Sequence, residues 1–146
     1  STLLKVIAGR QQLDAGNISI EKDKRFAYMP QEVVIESQKS ILEETFSTFE
    51  RAYKIQQEIQ QIEIQLETGN ADDDMLEKYA HLQEEMSEYN IADLEMQAKK
   101  VLQGLGFLPE KWDAPVSQLS VGWKMRVVLA KLLLQNADFY LFDEPT

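Results

Sequence analysis

Phe139-Tyr140-Leu141-Phe142 is a run of large apolar residues, and the carboxylates Asp143 and Glu144 follow it directly. A short continuous apolar run predicts a strand buried on both faces, as in the parallel sheets of α/β proteins. Such sheets bind their ligands at the carboxyl ends of the strands. In that position Asp143 could bind magnesium, and Glu144 could orient or activate a hydrolytic water. The alternative is a strand that simply ends in polar residues.

The segment Leu119-Ser120-Val121-Gly122-Trp123 precedes the predicted strand and opens a helix. Ser120 is a typical N-cap residue. Gly122 stands in the first turn, where a helix-forming residue is expected, and glycine there permits close approach of another backbone or a phosphate. An ordinary helix cap is the alternative interpretation. The helix is predicted from the apolar spacing of Met125, Val128, Leu129, Leu132 and Leu133.

Two weaker candidates lie near the amino end. Gln31 follows a candidate strand at Phe26–Met29 and could ligate magnesium through its amide oxygen, although an isolated glutamine is usually a surface residue. Ser1-Thr2 leads straight into a helical apolar spacing, as the final Ser/Thr of a P-loop does. Between the two, the alternation around Ile18 and Ile20 predicts a half-buried strand.

The middle of the chain is predicted to be helical. Apolar residues recur at helical spacing from Leu42 to Leu66, which suggests a first arm of about 30 residues, roughly 45 Å long. Turn-forming residues at 68–74 interrupt the pattern, and a second helix follows. The short break predicts an antiparallel helical hairpin. Asn90 can cap a third helix that ends at Gly104.

Composition limits the class of protein. The chain has 146 residues, no cysteine, 44% hydrophobic residues and a net charge of −10. The imbalance lies between Glu36 and Lys100, which hold 16 acidic and 6 basic residues, and argues against a broad nucleic-acid-binding face there. No apolar run is long enough for a membrane helix and no signal peptide is recognisable, so a cytoplasmic protein is expected.

Taken together and in this order, the four segments resemble those of the ATP-binding cassette superfamily, whose fold is that of an α/β P-loop NTPase. Ser1-Thr2 looks like the end of the Walker A loop, and Gln31 like the Q-loop glutamine. Leu119 to Trp123 looks like the signature motif, with Val121 where the family has glycine, and Leu141 to Glu144 like the Walker B strand. The resemblance implies Glu144 as catalytic residue, magnesium contacts from Ser1, Gln31 and Asp143, and nucleotide contacts from Ser1, Thr2, Gln31, Ser120 and Gly122.

Within that superfamily the chain looks like the first nucleotide-binding domain of an ABC-F protein. The features are the long acidic helical hairpin, the stretch from Val101 to Phe107, and Trp123 followed by Lys124-Met125-Arg126-Val127. The implied organisation is a partial nucleotide-binding core at 1–35, an inserted coiled-coil-like arm at 36–104, and the signature helix with the Walker B strand at 105–146.

The same resemblance implies ATP and Mg²⁺ as ligands and a second cassette domain, on the same chain or in a dimer. It implies a ribosomal role in translation or in protection from antibiotics, and no sequence-specific DNA binding. The ATPase subunit of a membrane transporter and a coiled-coil interaction module without nucleotide chemistry are the alternatives. Both ends look cut, and the P-loop lysine does not precede Ser1, so this fragment by itself is expected to be inactive.

Overall fold

The computed structural model describes residues 1–31, 35–70 and 72–143. The elements in chain order are helix α1 (Thr2–Ile7), strand β1 (Phe26–Met29), helices α2 (Ile41–Phe46), α3 (Glu50–Glu67), α4 (Asp73–Glu88) and α5 (Ile91–Gly104), two 3₁₀ turns (Pro109–Lys111 and Val116–Gln118), helix α6 (Val121–Leu133) and strand β2 (Phe139–Phe142). The described part of the chain is thus mostly helical, with a small parallel sheet. None of its helices is both long and apolar enough to cross a bilayer.

The sheet consists of β1 and β2, which run parallel with Phe26 opposite Phe139 and Met29 opposite Phe142. Helix α6 packs on it, and Leu132 of that helix is buried with Ala27 and Met29. The expectation that β2 is buried on both faces is wrong for the described residues. Phe139 is 50% and Phe142 39% exposed, because α6 packs beside β1 and leaves these two rings partly uncovered.

A second core joins α2, α5 and α6. A partly buried ion pair between Glu44 of α2 and Lys131 of α6 crosses it, with 2.6 Å between the carboxylate Oε1 and Nζ. The start of α2 is also tied to the loop before α6, since the Ile41 N–H donates to the Ala114 carbonyl at 3.0 Å. The buried apolar residues of this core are Ile41, Leu102, Phe107, Val116, Val127 and Ala130.

Helices α3 and α4 pack against each other in opposite directions. Arg51, near the start of α3, pairs with Glu85, near the end of α4, and Lys78 of α4 pairs with Glu58 of α3. The apolar seam between them is the third core, whose buried residues include Ala52, Ile55, Ile59, Ile62 and Leu82. At 18 residues, α3 is about 27 Å long.

The predicted first arm of about 30 residues is wrong, because it breaks at 47–49 into α2 and α3. The Ser47 hydroxyl donates to the Glu44 carbonyl at 2.6 Å. The N–H of Phe49 bonds to the Phe46 carbonyl, a 3₁₀ contact that ends the regular α-helical ladder. The apolar residues are thus helical on both sides of the break, but they lie on two helices, α2 and α3.

The strand predicted around Ile18 and Ile20 is also absent. Residues 17–21 form neither helix nor strand, and both isoleucines are 41% exposed. In the described residues β1 pairs only with β2, so this segment has no neighbouring strand to bury its alternating side chains. An alternating pattern without a pairing partner does not make a strand.

Candidate functional site

The carboxyl edge of the sheet brings Ser1 and Asp143, which are 142 positions apart in the chain, into contact. The Asp143 N–H donates to the Met29 carbonyl at 3.0 Å, which fixes the residue beside the end of β1. Its Oδ1 lies 2.5 Å from the backbone nitrogen of Ser1, and its Oδ2 accepts a hydrogen bond from the Tyr28 hydroxyl at 2.9 Å. Asp143 is only 3% exposed, so the carboxylate is both buried and held on each oxygen.

These contacts keep Asp143 ionised. Hydrogen bonds from the Ser1 nitrogen and from the Tyr28 hydroxyl lower the pKa of Asp143 below its usual value. Burial raises the pKa of Tyr28, and its hydrogen bond to the negative Asp143 adds to that rise. At neutral pH the edge therefore presents a carboxylate beside a neutral phenol.

Two other predicted residues of this group are close in the chain to β1 or to Ser1. Gln31 is exposed and follows Met29, the last residue of β1, by two positions. Thr2 is exposed as the first residue of α1, next to Ser1. Glu144 lies outside the described residues. The structure thus joins Ser1 to Asp143 directly and leaves Gln31 and Thr2 open to solvent.

Ser120 and Gly122 stand apart from that group in the chain, at the amino end of α6. Ser120 is the N-cap with extended backbone, and its side chain accepts no hydrogen bond from the first turn. A Cβ placed on Gly122 would have no heavy atom within 4 Å. Val121, which replaces the expected glycine, is 76% exposed. The start of α6 is therefore open, and the Val121 side chain crowds nothing in the described part of this chain.

The donor chemistry at the sheet edge suits magnesium shared with a phosphate. Magnesium prefers oxygen ligands, and in phosphoryl-transfer sites it is usually held by one or two carboxylates plus substrate phosphates and water. The Asp143 carboxylate, the Ser1 hydroxyl and the Gln31 amide offer such oxygens. The described residues contain no cluster of three or more His, Cys, Asp or Glu that would form an all-protein metal cage.

Sequence reasoning missed Tyr28. It lies 115 positions from Asp143 in the chain, and an aromatic residue in a strand carries no signal of such a contact. Only the parallel register shows it, since Tyr28 stands opposite Leu141, two residues before Asp143.

A family model described as "ABC transporter" matches residues 1–146. Over its full length the chain is 32% identical to ABC transporter F family member 5 of Arabidopsis thaliana and 31% identical to F family member 2 of the same plant. It is also 31% identical to an uncharacterised ABC transporter ATP-binding protein, YfmM, of Bacillus subtilis (strain 168). The alignments cover 22%, 22% and 29% of these proteins, so the chain spans about a quarter of the curated relatives' length.

Proposed function

The chain belongs to the ABC transporter family, whose domains have the P-loop NTPase fold, and on this premise we propose that it is the nucleotide-handling part of a cassette that binds and hydrolyses ATP with Mg²⁺. The observation that carries the proposal is the buried, ionised Asp143 at the carboxyl edge of the parallel sheet, in contact with Ser1. Ligand sites of α/β sheets lie at that edge.

Each residue has a role in this proposal. Asp143, the Ser1 hydroxyl and the Gln31 amide oxygen would hold the magnesium, which supplies charge neutralisation for the phosphates. Thr2 would contact a phosphate through its hydroxyl. Glu144 would accept a proton from the attacking water. Ser120 and Gly122 would serve the nucleotide of a second cassette, because the open start of α6 presents N–H groups with a partial positive charge.

The test is ATP turnover in the longer protein that carries this chain. We expect Glu144→Gln to lower kcat by at least about 100-fold, with ATP binding retained, because the variant loses the proton acceptor but keeps the phosphate contacts. Asp143→Asn should weaken magnesium binding and so raise the magnesium concentration needed for half-maximal turnover. The exposed residues Glu110 and Asp113 provide matched controls as Glu110→Gln and Asp113→Asn. Normal turnover in Glu144→Gln would remove Glu144 from the mechanism.

The 146-residue chain by itself is expected to show no hydrolysis. A P-loop uses the residues before its final Ser/Thr to cradle the phosphates, including a lysine, and this chain supplies none of them before Ser1. A rate that scales with the amount of purified chain, and that Glu144→Gln abolishes, would contradict this expectation.

For the intact protein we propose the ribosome as partner, reached through α3 and α4 as an arm inserted into the cassette. The similarity to F family proteins supports this proposal. From Glu50 to Glu88 the chain carries eleven carboxylates and three Lys or Arg residues. Such a surface favours a basic protein over the phosphate backbone of RNA.

Co-sedimentation with ribosomes tests the partner separately from the chemistry. We expect Glu144→Gln protein to sediment with ribosomes in the presence of ATP and much less without nucleotide, because retained ATP keeps the cassettes closed. If the protein hydrolyses ATP but does not sediment with ribosomes, the proposed ATPase activity stands and the ribosome is removed as partner.

A further inference from the structure

Trp123 and Arg126 connect the start of α6 to the loop that follows α5. The Trp123 ring meets the buried Phe107 ring edge-on, with 4.9 Å between centroids and an interplanar angle of 64°. On its face the Arg126 guanidinium carbon lies 4.4 Å from the ring centre. Arg126 also donates from Nη1 to the Leu105 carbonyl at 2.9 Å. The two side chains are one helical turn apart and so share one face of α6.

The residues just before Trp123 have little to hold them in place. Ser120 makes no side-chain cap, Val121 is mostly exposed, and Gly122 has no neighbour within van der Waals distance of a Cβ position. Leu119 packs against the second core on one side. On the other side, Trp123 and Arg126 attach the first turn to Phe107 and to the Leu105 carbonyl.

We propose that Trp123 and Arg126 are positioning residues: together they form a clamp that fixes the open Ser120–Gly122 turn in the orientation needed to meet a nucleotide phosphate. This inference rests on the proposed function and goes beyond it by naming side chains that do not touch the nucleotide. Preorganised donors accelerate a reaction only if they are already aimed when charge develops. A loosened first turn would therefore lower turnover more than it lowers ATP binding by the Ser1–Asp143 group.

The chemistry of the clamp predicts which replacements at Trp123 and Arg126 it should tolerate. The indole face is the strongest aromatic partner for a cation, and phenylalanine keeps a weaker version of the same attraction. Lysine at position 126 would keep the charge but lose the planar group that stacks and hydrogen-bonds at the same time. Trp123→Phe should thus be tolerated better than Arg126→Lys.

The experiment uses the longer protein carrying this chain, with kcat and ATP affinity measured separately. We expect Arg126→Ala and Trp123→Ala each to lower kcat about tenfold, with ATP affinity changed less than about twofold. The kcat of the double variant should lie no more than about twofold below that of either single variant, because both changes break the same clamp. Trp123→Phe should recover most of the turnover, and Lys124→Ala, one residue away, is the matched control.

A second readout reports the clamp without nucleotide. These 146 residues hold two tryptophans, Trp112 and Trp123, so in the longer protein the emission of Trp123 is taken as the difference between Trp112→Phe and Trp112→Phe/Trp123→Phe. Arg126→Ala should shift this difference emission to longer wavelength as the ring gains water. If the wild type hydrolyses ATP and both Arg126→Ala and Trp123→Ala have the same kcat as the wild type, the proposed function stands and the clamp is overturned. Equal losses of ATP affinity, kcat and thermal midpoint would also overturn it, in favour of general destabilisation. A wild-type protein that neither binds nor hydrolyses ATP would overturn the proposed function, and the clamp's role with it.

Discussion

Gly106 shows how a single residue sets the path of the chain after α5. Its φ is +92°, and a Cβ built there would lie 3.1 Å from Nη1 of Arg126. Gly106→Ala should therefore lower the free energy of unfolding by about 1–2 kcal/mol, because alanine resists positive φ and its methyl group crowds the guanidinium. Urea denaturation at pH 7, analysed with an unchanged slope, measures the effect.

Gly104 is the matched control, two positions earlier in the same segment. It is the last residue of α5, and no heavy atom lies within 4 Å of its Cβ position. Gly104→Ala should raise stability by about 0.5–1 kcal/mol, because alanine loses less backbone entropy on entering a helix. Two alanine variants that destabilise equally would show that backbone conformation at Gly106 is not the cause.

Single residues of the site differ in how far the sequence reveals them. The position of Asp143 at the end of a strand was predicted, because it directly follows an apolar run of strand type, which is a local sequence pattern. Tyr28 was not predicted, because its contact depends on a parallel pairing between distant segments. All the assignments to nucleotide and magnesium chemistry stay predictions that rest on motif order and family membership: Ser1, Thr2, Gln31, Ser120, Gly122, Asp143 and Glu144.

Between elements, the ion pair of Glu44 and Lys131 joins α2 to α6. Burial acts to raise the pKa of Glu44, but hydrogen bonds from Lys131 and from the Ser37 hydroxyl outweigh it, so the pKa lies below its ordinary value of 4.5. A carboxyl group with a depressed folded-state pKa stabilises the fold above its unfolded pKa. That contribution is lost as the pH falls through the folded-state pKa.

Glu44→Gln should therefore destabilise the chain at neutral pH by about 1–2 kcal/mol, since it leaves the partly buried Lys131 ammonium without its counter-charge. The difference from wild type should shrink as the pH falls from 5 towards 3, where Glu44 itself becomes protonated. Urea unfolding at several pH values measures this. A difference independent of pH would mean that the charge of Glu44 contributes nothing.

Removing both charges together separates the pair from its surroundings. In Glu44→Leu/Lys131→Met the desolvation cost of the ions disappears along with their attraction, so the double variant should be more stable than Glu44→Gln alone. A double variant that is less stable would show that the pair contributes more through attraction than it costs in burial.

The elements were predicted well where the signal was local. Helical periodicity located α3 to α6, and apolar runs located β1 and β2. The break at Ser47–Phe49 was missed because apolar spacing continues across it, and only the 3₁₀ contacts show that the helix ends. The strand around Ile18 failed for the opposite reason: its alternation is local, but a strand also requires a neighbour that no local pattern supplies.

For the whole molecule, the uneven distribution of charge affects stability. The net charge is −10, and residues 36–100 carry the entire excess. The ion pairs Arg51–Glu85 and Lys78–Glu58 offset some of the repulsion between α3 and α4. Since carboxylates outnumber cations in this region, repulsion between like charges should exceed the attraction of exposed pairs, which is weak in water.

Salt should therefore stabilise this protein. Raising NaCl from about 20 mM to about 300 mM shortens the screening length from roughly 20 Å to roughly 6 Å, and we expect the free energy of unfolding to rise by about 1 kcal/mol. Urea is the denaturant of choice because it is uncharged. Neutralising exposed carboxylates of α4, as Glu77→Gln/Glu84→Gln, should reduce this salt dependence, whereas the exposed pair Glu21→Gln/Glu110→Gln outside 36–100 should leave it nearly unchanged. If both double variants respond to salt alike, total charge governs the effect, and the concentration of acidic residues on α3 and α4 has no separate influence.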